Sequence, residues 1–234
     1  PEKTLVQLQK DAEHVLRERS IPMTPLEKFS ALFQQLPLVA ILRGLTPEEA
    51  PAVGEALVGA GFGLLEVPLN SPRPLESIGL LAQQHPDALV GAGTVLTAAQ
   101  VREVFAAGGQ LIVAPNFSAE VVSEAVRLGM VCLPGILTPT EAFGALAAGA
   151  HGLKLFPAEL ASPAALKALL AVLPQGTRML PVGGVTPGNM ASWRAAGAHG
   201  FGIGSALYKP GKPAAAVHQS ATEFIAAYAQ GAGA

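Results

Sequence analysis

The chain has 234 residues, half of them hydrophobic and only 14% charged, which excludes a disordered chain, since disorder needs few apolar residues and a high net charge. A net charge of -2 offers no basic field for nucleic acid, and a single cysteine, Cys132, excludes a disulfide framework and a thiolate zinc cage. The first twenty residues lack the apolar core of a signal peptide, and Gly, Pro or charge breaks every apolar stretch well short of about 18 residues. A cytoplasmic protein without a membrane span is expected.

Residues 1–36 are expected to form a helical extension. Leu5, Leu8, Val15 and Leu16, and then Leu26, Phe29, Leu32 and Phe33, recur at rough helical spacing, with Pro22 and Pro25 between the two helices. The second helix is expected to close the bottom of the domain that follows. Pro1 reads as a trimmed start rather than a catalytic amine.

Residues 37–234 read as one domain of alternating strands and helices. Strands are expected at Leu38–Leu42, Leu64–Val67, Leu89–Gly91, Leu111–Ala114, Val131–Leu133, Gly152–Leu155, Met179–Val182 and Gly200–Ile203. Most are purely apolar and do not alternate, as suits strands covered on both faces of a parallel sheet. Helices are expected at Pro47–Val58, Ala98–Ala107, Ala119–Leu128, Thr140–Ala147, Pro163–Leu173 and Pro187–Ala196, with a last one near Ala214–Ala229. Thr46, Thr97 and Ser118 read as N-caps, and Gly59, Gly108, Gly129, Gly149 and Gly197 as C-terminal caps. The hexapeptide AAGAHG occurs at Ala147–Gly152 and again at Ala195–Gly200, an offset of 48 residues, or two strand–helix units. Eight such units imply an α/β fold of the (β/α)8 TIM-barrel class, with a doubly wound open sheet as the alternative.

Charge inside apolar strands marks the chemistry. Of the 7 lysines only Lys154 sits within such a strand (GLKLFP), and of the 17 acidic residues only Glu66 does (LLEVP). Arg43 closes the first strand (VAILRG). All three fall at the C-terminal strand ends, where a barrel carries its active site. Unpaired buried charge costs several kcal/mol, so the three are expected to share one pocket, either as a salt-bridge network or as a reaction centre. A desolvated lysine keeps some neutral amine near pH 7 and can form a Schiff base. Glu66 then relays protons and Arg43 holds a carboxylate, which describes an aldolase acting on a 2-keto acid without cofactor or metal. The five histidines show neither HxH nor HExxH spacing. His151 and His199 fall in the two AAGAHG loops at the opposite face and read as surface residues.

Two glycine-rich turns follow late strands: PVGGVTPGN after the seventh and GIGSALY after the eighth. Such loops are the usual phosphate site of this fold. Gly91-Ala92-Gly93-Thr94 is expected to let a substrate carboxylate approach Thr94.

The segments LVAILRGLTPEEA, GFGLLEVPLNSP, GAGTVLTAAQV, LIVAPNFSAEVV, CLPGILTPTEA, GLKLFPAE, PVGGVTPGN and GIGSALY cover Leu38–Tyr208. In this order they resemble the 2-keto-3-deoxy-6-phosphogluconate and 6-phosphogalactonate aldolases, class I enzymes on a trimeric barrel. The resemblance implies Lys154 as the Schiff-base residue and Glu66 as the general acid/base. It implies Arg43 and Thr94 at the pyruvate carboxylate, Pro115 and Phe156 lining the pyruvyl site, and Gly183, Gly184, Gly204 and Ser205 at the phosphate. The run EVPLNSP, with Asn70 as the residue of epimer specificity, resembles the galactonate branch, whereas LFPAE is closer to the gluconate branch. The implied partners are a sugar acid phosphate, pyruvate and two further copies of the chain. Competing readings are a sugar-phosphate isomerase or epimerase, which leaves the buried lysine without a task, and an idle barrel that binds phosphorylated ligands.

Overall fold

A computed structural model describes residues 23–230. The helix expected over Leu5–Leu16, the reading of Pro1 and the terminal GAGA lie outside these residues. Thr24 accepts from the Glu27 N–H while the Glu27 carboxylate accepts from the Thr24 N–H, and Pro25 opens the helix, so α1 runs Pro25–Gln35.

Parallel strands and helices then alternate. The strands are β1 (Leu38–Ile41), β2 (Leu64–Pro68), β3 (Leu89–Gly93), β4 (Leu111–Val113), β5 (Val131–Leu133), β6 (Gly135–Ile136), β7 (Leu153–Leu155), β8 (Met179–Pro181) and β9 (Phe201–Ile203). The helices between and after them are α2 (Ala50–Ala60), α3 (Pro74–Gln84), α4 (Ala98–Ala106), α5 (Ala119–Arg127), α6 (Pro139–Ala147), α7 (Pro163–Val172), α8 (Met190–Ala195) and α9 (Ala214–Gln230). Thr97, Ser118, Thr138 and Ser162 cap their helices through side-chain oxygens.

The strands form two parallel arcs, ordered β5-β4-β3-β2-β1-β9 and β6-β7-β8. Pro134 alone separates β5 from β6. It has no N–H to continue the ladder, yet its carbonyl accepts from Lys154 N at 2.9 Å. At the other junction Val182 bridges Gly202 in parallel.

Alternation along each short strand divides the core in two. Val39, Leu64, Leu89, Leu111, Val113, Val131, Leu133 and Leu180 cluster with Phe29 and Phe33 of α1 on one face of the curled sheet. Leu38, Ala40, Leu65, Val67, Ile112, Cys132, Leu153 and Leu155 pack outward under the helices. Both faces are apolar, which is why the strands read as unbroken hydrophobic runs.

Several boundaries differ from expectation. Helix α3 was not anticipated; its apolar positions Ile78 and Leu81 are masked by flanking prolines, glutamines and Gly79. Gly59 lies inside α2, and the left-handed cap is Gly61, at φ 117°. Helix α2 itself begins at Ala50, because Thr46 and Glu49 close a separate turn ahead of it. Among the described residues no helix is long and apolar enough to cross a membrane.

The duplicated AAGAHG has a structural task. His151 N donates to the Cys132 carbonyl at 3.0 Å while His151 Nδ1 accepts from Cys132 N at 3.1 Å. His199 repeats this with Met179, at 2.9 and 3.3 Å. His151 is half-buried and His199 exposed, and both imidazoles complete the hydrogen bonding of a neighbouring strand. Beside them Arg178 lies over the rings of Phe29 and Phe33, 5.2 and 5.4 Å from their centroids. Burial and the Arg178 charge lower the pKa of both histidines.

Candidate active site

The alternation that sends Leu64 inward also sends Glu66 inward, and on β7 it turns Lys154 inward between two outward leucines. Register places Ile41 beside Glu66 and Glu66 beside Gly91, while Lys154 lies beside Gly135 and Leu180. Both charges are buried, Glu66 at 1% exposure and Lys154 at 6%. Arg43 differs from expectation. It is exposed at the rim, where β1 has ended and solvent reaches the guanidinium, and Nη1 donates to Asn70 Oδ1 at 2.8 Å.

Burial dominates the electrostatics. It pushes the Glu66 carboxyl up to about 7, against the opposing pull of Lys154 and Arg43. It lowers the Lys154 ammonium below the usual lysine range; Arg43 adds to that and Glu66 resists it. The Lys154 Nζ lies 4.4 Å from the centroid of the Phe156 ring. Val39, Ile41, Val113, Leu133, Leu180 and Val182 line a small apolar space with Lys154, so little solvent stabilises its charge. Among the described residues Glu66 Oε2 has no hydrogen-bond partner. A buried carboxyl oxygen without a partner, within the electrostatic reach of Lys154 and Arg43, is poised to take a proton.

Glycine makes room for that carboxylate. A Cβ at Gly93 would stand 2.1 Å from Glu66 Oε2. Thr94, the next residue, holds φ at 55°, an uncommon backbone for a β-branched side chain. Cys132 is buried, which pushes its thiol up to about 12 and leaves no nucleophile there.

A cavity of about 570 Å³ opens above Lys154. It brings together Arg43, Lys154, Phe156, Gly183, Gly184, Gly204 and Ser205, seven of the residues singled out from sequence. Glu66 is buried deeper and Asn70 joins through Arg43. Thr94 and Pro115 are not among the residues lining this cavity. Gly183 and Gly184 hold φ at 109° and 64°, conformations a side chain would strain. Asn189 fixes their loop, donating from Nδ2 to the Gly184 carbonyl at 2.8 Å and accepting from Thr186 N at 2.9 Å.

Sequence reasoning missed three contributors. Glu49 accepts from Tyr208 Oη at 3.2 Å and from Gly211 N at 2.9 Å, tying the loop before α2 to the loop after β9. Lys209 and Glu159 also line the cavity. Glu49 and Lys209 occupy loops and Glu159 a single 3-10 turn, where no periodicity marks an inward residue.

Buried amine, buried carboxyl, rim guanidinium and glycine pair suit the capture and cleavage of an anionic keto compound. Residues 29–219 match the family described as KDPG and KHG aldolase. The 2-dehydro-3-deoxy-6-phosphogalactonate aldolase of Escherichia coli (strain K12) is 49% identical over 195 residues, covering 83% of this chain and 95% of that protein. The probable 2-dehydro-3-deoxy-6-phosphogalactonate aldolase of Rhizobium meliloti (strain 1021) is 48% identical over 209 residues, covering 89% and 95%. A solved structure described as native KDPGal superposes with a TM-score of 0.83 at 48% identity, covering 84% of this chain and 96% of that one. The chain belongs to the KDPG and KHG aldolase family and is an aldolase, a lyase.

Proposed function

We propose that the protein is a class I aldolase that cleaves 2-dehydro-3-deoxy-6-phosphogalactonate into pyruvate and D-glyceraldehyde 3-phosphate. The observation that carries this reading is the pair of inward, buried charges, Lys154 and Glu66, beneath one cavity that ends in the Gly183–Gly184 turn. Arg43 and Thr94 hold the carboxylate, Phe156 and Pro115 flank the pyruvyl unit, and Gly183, Gly184, Gly204 and Ser205 receive the phosphate. The galactonate epimer is favoured by the PLNSP run, whose Asn70 accepts from Arg43, and by relatives of that name almost half identical to this chain.

The neutral Lys154 amine adds to the keto carbon, and loss of water gives an iminium. Glu66, with its raised pKa, donates the proton that leaves with that water. As a carboxylate it then takes the proton of the C4 hydroxyl. The C3–C4 bond breaks, the aldehyde phosphate departs, and the electron pair enters the iminium as an enamine. Protonation at C3 and hydrolysis return the amine and release pyruvate.

In this reading the two strand arcs are parts of one (β/α)8 barrel spanning residues 37–234, with residues 1–36 as an extension. Exposed Leu96, Leu137 and Leu160, all in connections that follow strands, suit a threefold contact between copies.

Borohydride reduction in the presence of pyruvate tests the chemistry. Mass spectrometry is expected to find one lactyl-sized adduct per chain, on the peptide carrying Lys154, and none in Lys154→Met. Cleavage activity without any adduct at Lys154 would overturn the mechanism.

A further inference from the structure

Glu159 stands on a single 3-10 turn, Ala158–Leu160, anchored by donation from Ala158 N to the Val182 carbonyl at 2.9 Å. That anchor carries its side chain over the glycine pair. A Cβ at Gly183 would lie 2.1 Å from Glu159 Oε2, and one at Gly184 would lie 3.0 Å from Glu159 Cγ. Adding one C–C bond of about 1.5 Å to the 2.1 Å contact puts the carboxyl oxygen within about 3.6 Å of Gly183 Cα. Among the described residues the ion pairs join Arg73 to Glu48 and Glu76, and Arg102 and Arg127 to Glu124. Glu159 has no such partner there, although Lys209 borders the same cavity. An exposed carboxylate thus lies against the Cβ side of the glycine pair at one end of the cavity.

We propose that the Glu159 carboxylate is a displaceable counter-ligand of the phosphate subsite, a solvent-exposed anion of the chain itself that the incoming phosphate must push aside. This rests on the assignment of Gly183 and Gly184 to the phosphate under Proposed function. A carboxylate and a phosphate dianion cannot share the turn without repulsion, so Glu159 weakens phosphate binding and hastens release of the phosphorylated product. It acts on affinity, while Lys154 and Glu66 act on the bond.

Calorimetric titration with inorganic phosphate tests the idea on the full-length protein. In moderate salt, Glu159→Gln is expected to bind phosphate about five- to twentyfold more tightly than the wild type. Glu159→Ala is expected to do the same, whereas Glu159→Asp keeps the charge and stays within about twofold of the wild type. The KM for the phosphorylated keto acid should fall in the same proportion in the Gln variant. Wild-type phosphate binding that is unchanged or weakened by Glu159→Gln would overturn the role of Glu159 alone. Failure of both proteins to bind phosphate would overturn the phosphate subsite with it, and adduct formation at Lys154 reports separately on the aldolase reading.

Discussion

Arg43 and Asn70, 27 positions apart in sequence, meet through a 2.8 Å hydrogen bond at the rim of the cavity. The bond joins the loop after β1 to the loop after β2 and aims an exposed guanidinium that nothing else among the described side chains holds. Asn70→Ala should therefore loosen Arg43. A hydrogen bond to a charged group contributes about 1.5–3 kcal/mol, and exposure puts this one at the lower end, so the KM for pyruvate should rise about tenfold. Arg43→Ala removes the guanidinium itself and should raise that KM further than Asn70→Ala does. Deuterium exchange of pyruvate methyl protons as a function of pyruvate concentration measures both; an unaltered KM in Arg43→Ala would remove Arg43 from the carboxylate site.

Gly93→Ala tests how Glu66 is seated. The new Cβ would crowd the carboxyl, at 2.1 Å from Oε2 and 2.4 Å from Cδ. The expected loss of pyruvate exchange is about 100-fold, since proton transfer by a positioned base contributes roughly 10²–10⁴-fold. Adding Gly93→Ala to Glu66→Gln should cost little more, because the two changes act through one group. Additive losses would mean that Gly93 matters for the sheet and not for Glu66.

Glu66 also couples folding to pH. Its folded pKa, about 7, is raised above the ordinary glutamate value of 4.5, so the folded state favours the protonated carboxyl. That contribution to stability is complete below about pH 4.5 and is lost as pH rises through 7. Glu66→Gln lacks this loss. Its stability relative to the wild type should grow by roughly 3 kcal/mol between pH 4.5 and 8, read by urea denaturation at each pH. A constant difference across that range would show that Glu66 is not held protonated by burial.

Gly184→Val probes the phosphate end. Gly184 holds φ at 64° and its Cβ direction points at Glu159 Cγ, 3.0 Å away. Cleavage of the phosphorylated substrate should fall at least tenfold more than pyruvate exchange does. Equal losses in the two assays would indicate a general collapse of the cavity.

The strand positions were legible because each is a short apolar run recurring at a near-constant interval, and Lys154 and Glu66 stood out because charge is rare in such runs. Exposure was not legible for Arg43, since a strand-end residue faces either the interior or the rim by a turn of one residue. Strand β6 was hidden: the expected strand ended at Leu133, as β5 does, and nothing in the sequence marks Gly135–Ile136 as a second short strand beyond Pro134. The partnering of His151 with Cys132 depends on two strands lying side by side, a relation that the repeated hexapeptide signals without explaining. Glu159 and Glu49 act from short turns, whose geometry is set by what they pack against.

Phe29 and Phe33 seal the inward cluster from below, with Arg178 stacked on them. A vessel stoppered at one end fills and empties through a single neck. In the proposed reaction, pyruvate bonded to Lys154 would sit deeper than the phosphate-bearing fragment at the Gly183–Gly184 turn, and the aldehyde would leave first. Run backwards, the same vessel must take up pyruvate before the aldehyde. Product inhibition should accordingly follow an ordered pattern, in which pyruvate alone competes with the phosphorylated keto acid for the free enzyme.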